Sequence, residues 1–158
     1  RLLGGELGDY GFRASTSGLV EASVASTVCS MAVVCAVSAV SGGGGRPLWV
    51  PGDPVLLAGS LLLVAPVCEE VLFRGFVQGY LLRRGHFKLS IAVPAVLFSA
   101  VHAALFSSAG PVLLLGVLVG ALALGVVAGY FRAVSGSLLP AVLAHFWFNL
   151  VGLLVMLL

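Results

Sequence analysis

VLLAGSLLLVAPVCEEVLFRGFVQGYLL, residues 55–82, is apolar for longer than one perpendicular bilayer crossing needs, yet it carries Pro66, Glu69, Glu70 and Arg74. About 20 apolar residues take a helix across a membrane. The stretch ends at the basic run Arg83-Arg84-Gly85-His86-Phe87-Lys88 and reads as a transmembrane helix with charges inside it. An ionisable residue at the bilayer centre costs about 2.5–3.5 kcal/mol, whereas each Leu, Ile, Phe or Val offsets only about 0.3–0.6. With Glu treated like Asp, the three charges cost roughly 8–10 kcal/mol, and about fifteen apolar neighbours offset roughly 5–9. The segment is marginal alone. It needs partners in a bundle, and such groups by default face a protein interior or a wet cavity and mark function.

Working outward, the same character holds for most of the chain. Of 158 residues, 60% are hydrophobic and 9% charged, against about 25% charged in soluble domains. Four further apolar spans are expected at about 19–40, 89–106, 111–131 and 138–158, giving an all-α, polytopic transmembrane bundle of about five spans. Residues 1–18 read as a polar surface lead-in, and 19–158 as one transmembrane domain. Gly42 to Gly45, Arg46-Pro47 and Pro51-Gly52-Asp53-Pro54 form a loop. Ser108 is the expected N-cap of the fourth span, with Pro111 near its first turn. Gly116, Gly120, Gly125 and Gly129 include two GxxxG spacings that suit close helix packing. Lys and Arg accumulate on the cytoplasmic side. An inside N-terminus puts Arg1, Arg13, Arg83, Arg84, Lys88 and Arg132 there and leaves only Arg46 outside.

Several function classes fall away. A net charge of +2 without a basic, aromatic-interleaved run gives no reason to expect nucleic acid. Cys29, Cys35 and Cys68 form no CxxC pair and read as small packing residues. HExxH is absent. Asp9 and Asp53 both lie outside the spans, which excludes an intramembrane aspartyl dyad. Ser137 lacks a GxSG context, and Cys68 beside Glu69 only superficially suggests a thiol protease.

The remaining polar residues have informative spacings. Glu70 and Arg74 are i,i+4 and can pair. Glu69 is turned by about 100° from Glu70, so the two carboxylates need not share a role. Less directly paired and partly desolvated, Glu69 suits a general base working near neutrality. Pro66 either kinks the helix or starts a new one. His102 lies four residues after Phe98, and His145 and Asn149 share a face of the last span. These groups add a tunable proton acceptor or donor and an amide donor. Two glutamates, two histidines and an asparagine on three helices are enough to activate a water and stabilise an oxyanion.

Glu69-Glu70-Val71-Leu72-Phe73-Arg74 resembles an EExxxR motif, Phe98 to His102 an FxxxH motif, and His145 to Asn149 an HxxxN motif. They occur in this order on successive helices in the intramembrane family of type II CAAX prenyl proteases and bacteriocin-processing or bacteriocin-immunity proteins (the Abi or CPBP family). The likeness covers about 55–158, and Ser135-Gly136-Ser137-Leu138 before the last span shares it. The resemblance implies an endopeptidase without a covalent intermediate. Glu69 would deprotonate a water that His102 helps to hold, His145 and Asn149 would donate to the oxyanion, and Glu70 and Arg74 would orient the site. It implies no cofactor and no bound metal. The substrate would be a peptide or protein at the membrane, with prenylation entering only by analogy, and the location the cell membrane. Other readings stay open: a metallopeptidase using the same Glu and His side chains, a proton-coupled carrier, and a non-catalytic scaffold or immunity protein.

Overall fold

The computed structural model describes residues 6–41 and 53–157. The loop expected around Gly42 to Gly45, Arg46-Pro47 and Pro51-Gly52 lies outside them. The chain is an integral membrane bundle, and among the described residues every regular element is a helix. Helix α1 is Leu19–Ser41; α2 is the composite span Val55–Arg83; α3 is Phe87–Leu105; α4 is Pro111–Ser135; α5 is Leu139–Leu157. The first four are long and apolar enough to cross a membrane, while the apolar part of α5, Leu139–Val155, is shorter. Large apolar side chains such as Val24, Leu63, Val96, Leu115 and Val126 stay exposed on the outside of the bundle, as expected where the solvent is hydrocarbon.

Small residues set the packing of α4. Gly116 meets Val37, and Gly120 meets Val33 and Phe148, so the first GxxxG pair faces α1 and α5. A Cβ at Gly125 would lie 2.8 Å from Ala95 Cα, and one at Gly129 3.3 Å from Ile91 Cγ2, so the second pair seats α3. One helix thus docks neighbours through glycines at two levels. Helices α1 and α5 are joined by side-chain donors: Ser26 Oγ donates to Ala144 O, and Ser30 Oγ to Phe148 O at 2.8 Å. Each buries a hydroxyl against a backbone carbonyl of another helix, the kind of interhelical bond found between helices in lipid.

Pro66 neither breaks α2 nor starts a new helix; α2 absorbs it by changing pitch. Asp53 caps the start, accepting from Val55 N at 2.8 Å and Leu56 N at 3.2 Å. Ser60–Val64 is then a π turn, Ala65–Glu70 returns to α geometry, and Val71–Val77 is π again. The Ala65 N–H reaches back five residues to Ser60 O. Leu61 O would accept from Ala65 in an α-helix or from Pro66 in a π-helix. The first is engaged with Ser60 and the second has no N–H. The carbonyl is therefore left for a donor outside the helix.

One expectation is corrected. Gly110, not Ser108, caps α4, with Pro111 at its first position; Ser108 stands three residues before the helix and makes no capping bond among the described residues. The described part of the polar lead-in lies mostly exposed on the surface and is anchored there by Tyr10. Its 3₁₀ turn Leu7–Tyr10 buries Tyr10 to 5% exposure. Gly79 admits it, since a Cβ there would meet Tyr10 Cδ1 at 3.0 Å. Arg83 Nη1 donates to Tyr10 Oη at 2.8 Å, Leu138 N to Gly11 O at 3.0 Å, and Ser137 Oγ to Arg13 O at 2.8 Å.

Candidate active site

The stripe Glu70, Arg74, Gln78 runs along α2 at i,i+4 spacing, and all three are fully buried. Arg74 Nη1 donates to Glu70 Oε1 at 3.0 Å. His145, from the first half of α5, directs Nδ1 at the same oxygen at 2.9 Å. A carboxylate only accepts, so Nδ1 carries the hydrogen and Nε2 is turned elsewhere. It faces Glu69, whose Oε2 is 3.7 Å away. That gap is too long for a hydrogen bond, and a water can bridge it. Glu69 is 32% exposed while Glu70 has no exposure. The rotation between adjacent helical residues thus separates a sealed carboxylate from an accessible one.

Phe98 of α3 holds the cluster together. Its ring is buried, with the Arg74 guanidinium 4.8 Å from its centroid. It meets Phe73 edge-on at 5.3 Å and His145 edge-on at 5.5 Å, and it tilts against His102 at 4.5 Å. The two imidazoles flank one phenyl ring. His102 Nδ1 lies 2.8 Å from Phe98 O. A carbonyl accepts, so Nδ1 donates and Nε2 presents its lone pair. Among the described residues no hydrogen bond joins His102 to Glu69.

Asn149, one turn after His145, donates Nδ2 to Leu61 O at 2.8 Å. It supplies the donor that Pro66 withdraws from α2. Nδ2 carries two hydrogens, so one remains.

Of the six residues expected at the site, Glu69, Glu70, Arg74 and His145 meet directly. His102 joins through Phe98, and Asn149 meets the backbone of α2. Gln78 was not anticipated. It donates to Gly129 O at 2.6 Å and ties α2 to α4, and its spacing from Glu70 and Arg74 was the available signal. Glu70 Oε2, Arg74 Nε and Nη2, and Gln78 Oε1 are buried with no protein partner among the described residues. Among the described residues no three His, Cys, Asp or Glu side chains gather as a metal-ligand set.

A helical membrane bundle with a carboxylate–imidazole cluster inside it is the class this chain defines. Over residues 51–151 the sequence matches the family described as type II CAAX prenyl endopeptidase, Rce1-like. All six expected residues lie within that match. No curated protein and no solved structure matches. The chain belongs to the Rce1-like family, a family of membrane proteases.

Proposed function

We propose that the chain is an intramembrane endopeptidase that hydrolyses a peptide bond with a water activated by Glu69. The observation that carries this reading is the 3.7 Å gap between Glu69 Oε2 and His145 Nε2, at the accessible edge of an otherwise sealed cluster. Glu69 takes the proton of a water seated there, and the His102 Nε2 lone pair helps to orient it. His145 and the second Asn149 hydrogen donate to the tetrahedral oxyanion, and Glu69 then passes the proton it took from the water to the departing amine as the C–N bond breaks. For His145 this requires the imidazolium, since Nδ1 already donates to Glu70. Glu69, Glu70, Arg74 and a protonated His145 then sum to zero charge, a balance suited to lipid. A positioned base contributes about 10²–10⁴ in rate and each oxyanion donor about 10²–10³. Glu70 and Arg74 act through His145 and are positioning residues.

The substrate in this reading is a membrane-associated peptide or protein, CAAX-type prenylated chains included. A shallow apolar groove on the outside of the bundle, lined by Phe76, Val77, Tyr80, Leu81 and Val93, supports a lipid-modified one. Arg13, Arg83 and Arg132 gather at one end of the bundle, which supports a cytoplasmic N-terminus by the bias of basic residues; the cell membrane is the proposed location. The test is cleavage by detergent-purified protein of matched prenylated and plain peptides. Prenylated peptide is expected to be cut with the lower KM, and Phe76→Ala to raise that KM alone. Activity is expected to survive a strong chelator. Loss in chelator with recovery on adding zinc would replace the glutamate mechanism with a metal one.

A further inference from the structure

We propose that the basic end of the bundle holds a binding site for a phosphate anion, presented by the headgroup of an anionic lipid. A cavity of about 280 Å³ opens there, lined by Arg13, Arg83, Arg132, Asp9 and the glycines Gly8 and Gly136. A water takes up about 30 Å³ of liquid, so the space admits a phosphate group.

Its charges are unbalanced. Asp9 Oδ2 lies 3.6 Å from Arg83 Nε and offsets that guanidinium. Among the described residues no carboxylate pairs with Arg13 or Arg132. Arg132 is the more telling of the two. It is 2% exposed, donates Nη2 to Asp9 O at 2.9 Å, and leaves Nε with no partner. A buried charge without a counter-ion is costly, and an anion in the adjoining cavity removes that cost. Gly11, with φ +89°, packs its backbone directly on this guanidinium, and Arg13 lies across Gly8 and Gly136. Arg132 is thereby held in place before any ligand arrives.

Arginine suits the task, because its planar fork matches phosphate oxygens in pairs. The location selects the source. Arg83 and Arg132 sit in the last turns of α2 and α4; the ends of membrane spans meet the headgroup region, where basic pockets between spans bind anionic headgroups.

The experiment is thermal unfolding of the detergent-purified full chain, titrated with short-chain phosphatidylglycerol, neutral diacylglycerol or inorganic phosphate, with native mass spectrometry of retained lipid. Phosphatidylglycerol is expected to raise the midpoint and stay bound, and diacylglycerol to do neither. Arg13→Gln, at an exposed side chain, is expected to keep the unliganded midpoint and weaken binding at least about tenfold. Arg84→Gln is the control, since Arg84 stacks 4.4 Å over Tyr80 and does not line the cavity. An Arg13-dependent shift with inorganic phosphate alone supports the site and assigns it to a soluble anion. Equal weakening by Arg84→Gln, an equal effect of diacylglycerol, or no Arg13-dependent shift with either anion overturns it.

Discussion

Two ion pairs, both made by arginines of α2, show how differently the two ends of one helix treat charge. Glu70 and Arg74 are 3.0 Å apart with no exposure on either side chain. Asp9 and Arg83 are 3.6 Å apart, 41% and 32% exposed. The first pair stands where no solvent or ion can substitute for a lost partner, and it is reinforced by His145 and by the Phe98 ring. The second stands where water competes for both groups. A charge deep in the span must therefore be matched by the protein itself, whereas one at the end can rely on its surroundings. Glu69 is the exception at the centre, a carboxylate without a hydrogen-bonded partner among the described residues, and that exception is where chemistry is proposed.

The sharpest test removes the exception alone. Glu69→Gln keeps shape and abolishes basicity, and cleavage is expected to fall by about 10²–10⁴ with an unchanged unfolding midpoint. Wild-type-like cleavage would sink the catalytic assignment. Next in size is breaking the match. Glu70→Leu strands Arg74, with an expected loss of about 3–5 kcal/mol of stability. Glu70→Leu with Arg74→Met is expected to recover most of that loss, since apolar replacement of a whole buried pair is often neutral, while activity stays low because His145 has lost its anchor. A double variant as unstable as the single one would show that the pair does more than neutralise itself.

Asn149 extends the comparison from charges to backbone dipoles. Its amide serves a carbonyl that Pro66 leaves without a donor, so Asn149→Ala is expected to cost about 1–3 kcal/mol. In a Pro66→Ala background the restored N–H can take up Leu61 O, and Asn149→Ala should then cost measurably less. Additive losses in the double variant would break the link between the proline and the asparagine.

What could be read from the sequence follows the same division. The apolar spans and the motif residues were legible because a charged residue inside an apolar stretch is costly enough to announce itself, and the histidines and Asn149 fell into motif spacings. The pairing of Glu70 with Arg74 followed from spacing. The Asn149 to Leu61 bond did not, because its acceptor is a main-chain carbonyl exposed by a change of helical pitch, and side-chain spacing is silent about that. Gln78 was overlooked because it is neutral and falls in none of the three motif spacings. Arg132 was legible only as a topology signal; its burial to 2% exposure was not, because the segment that covers it reads as polar and glycine-rich. The burial of Tyr10 was hidden in the same way, resting on contacts with Gly79 and Arg83 that lie far along the chain.

The smallest expected effect comes from the other ion pair. Asp9→Asn removes its carboxylate charge while leaving the Asp9 main-chain carbonyl in place for Arg132. An exposed pair in high dielectric contributes about 0–1 kcal/mol, and salt screens it over roughly 8–10 Å at ordinary ionic strength. The unfolding midpoint is therefore expected to drop slightly at low salt and to match the parent protein at high salt, with cleavage unaltered. Arg83 keeps its bond to Tyr10 Oη at 2.8 Å in this variant, so the 3₁₀ turn should remain seated. A loss as large and as salt-insensitive as that of Glu70→Leu would mean that the end of α2 is shielded like its centre, and the contrast between the two pairs would disappear.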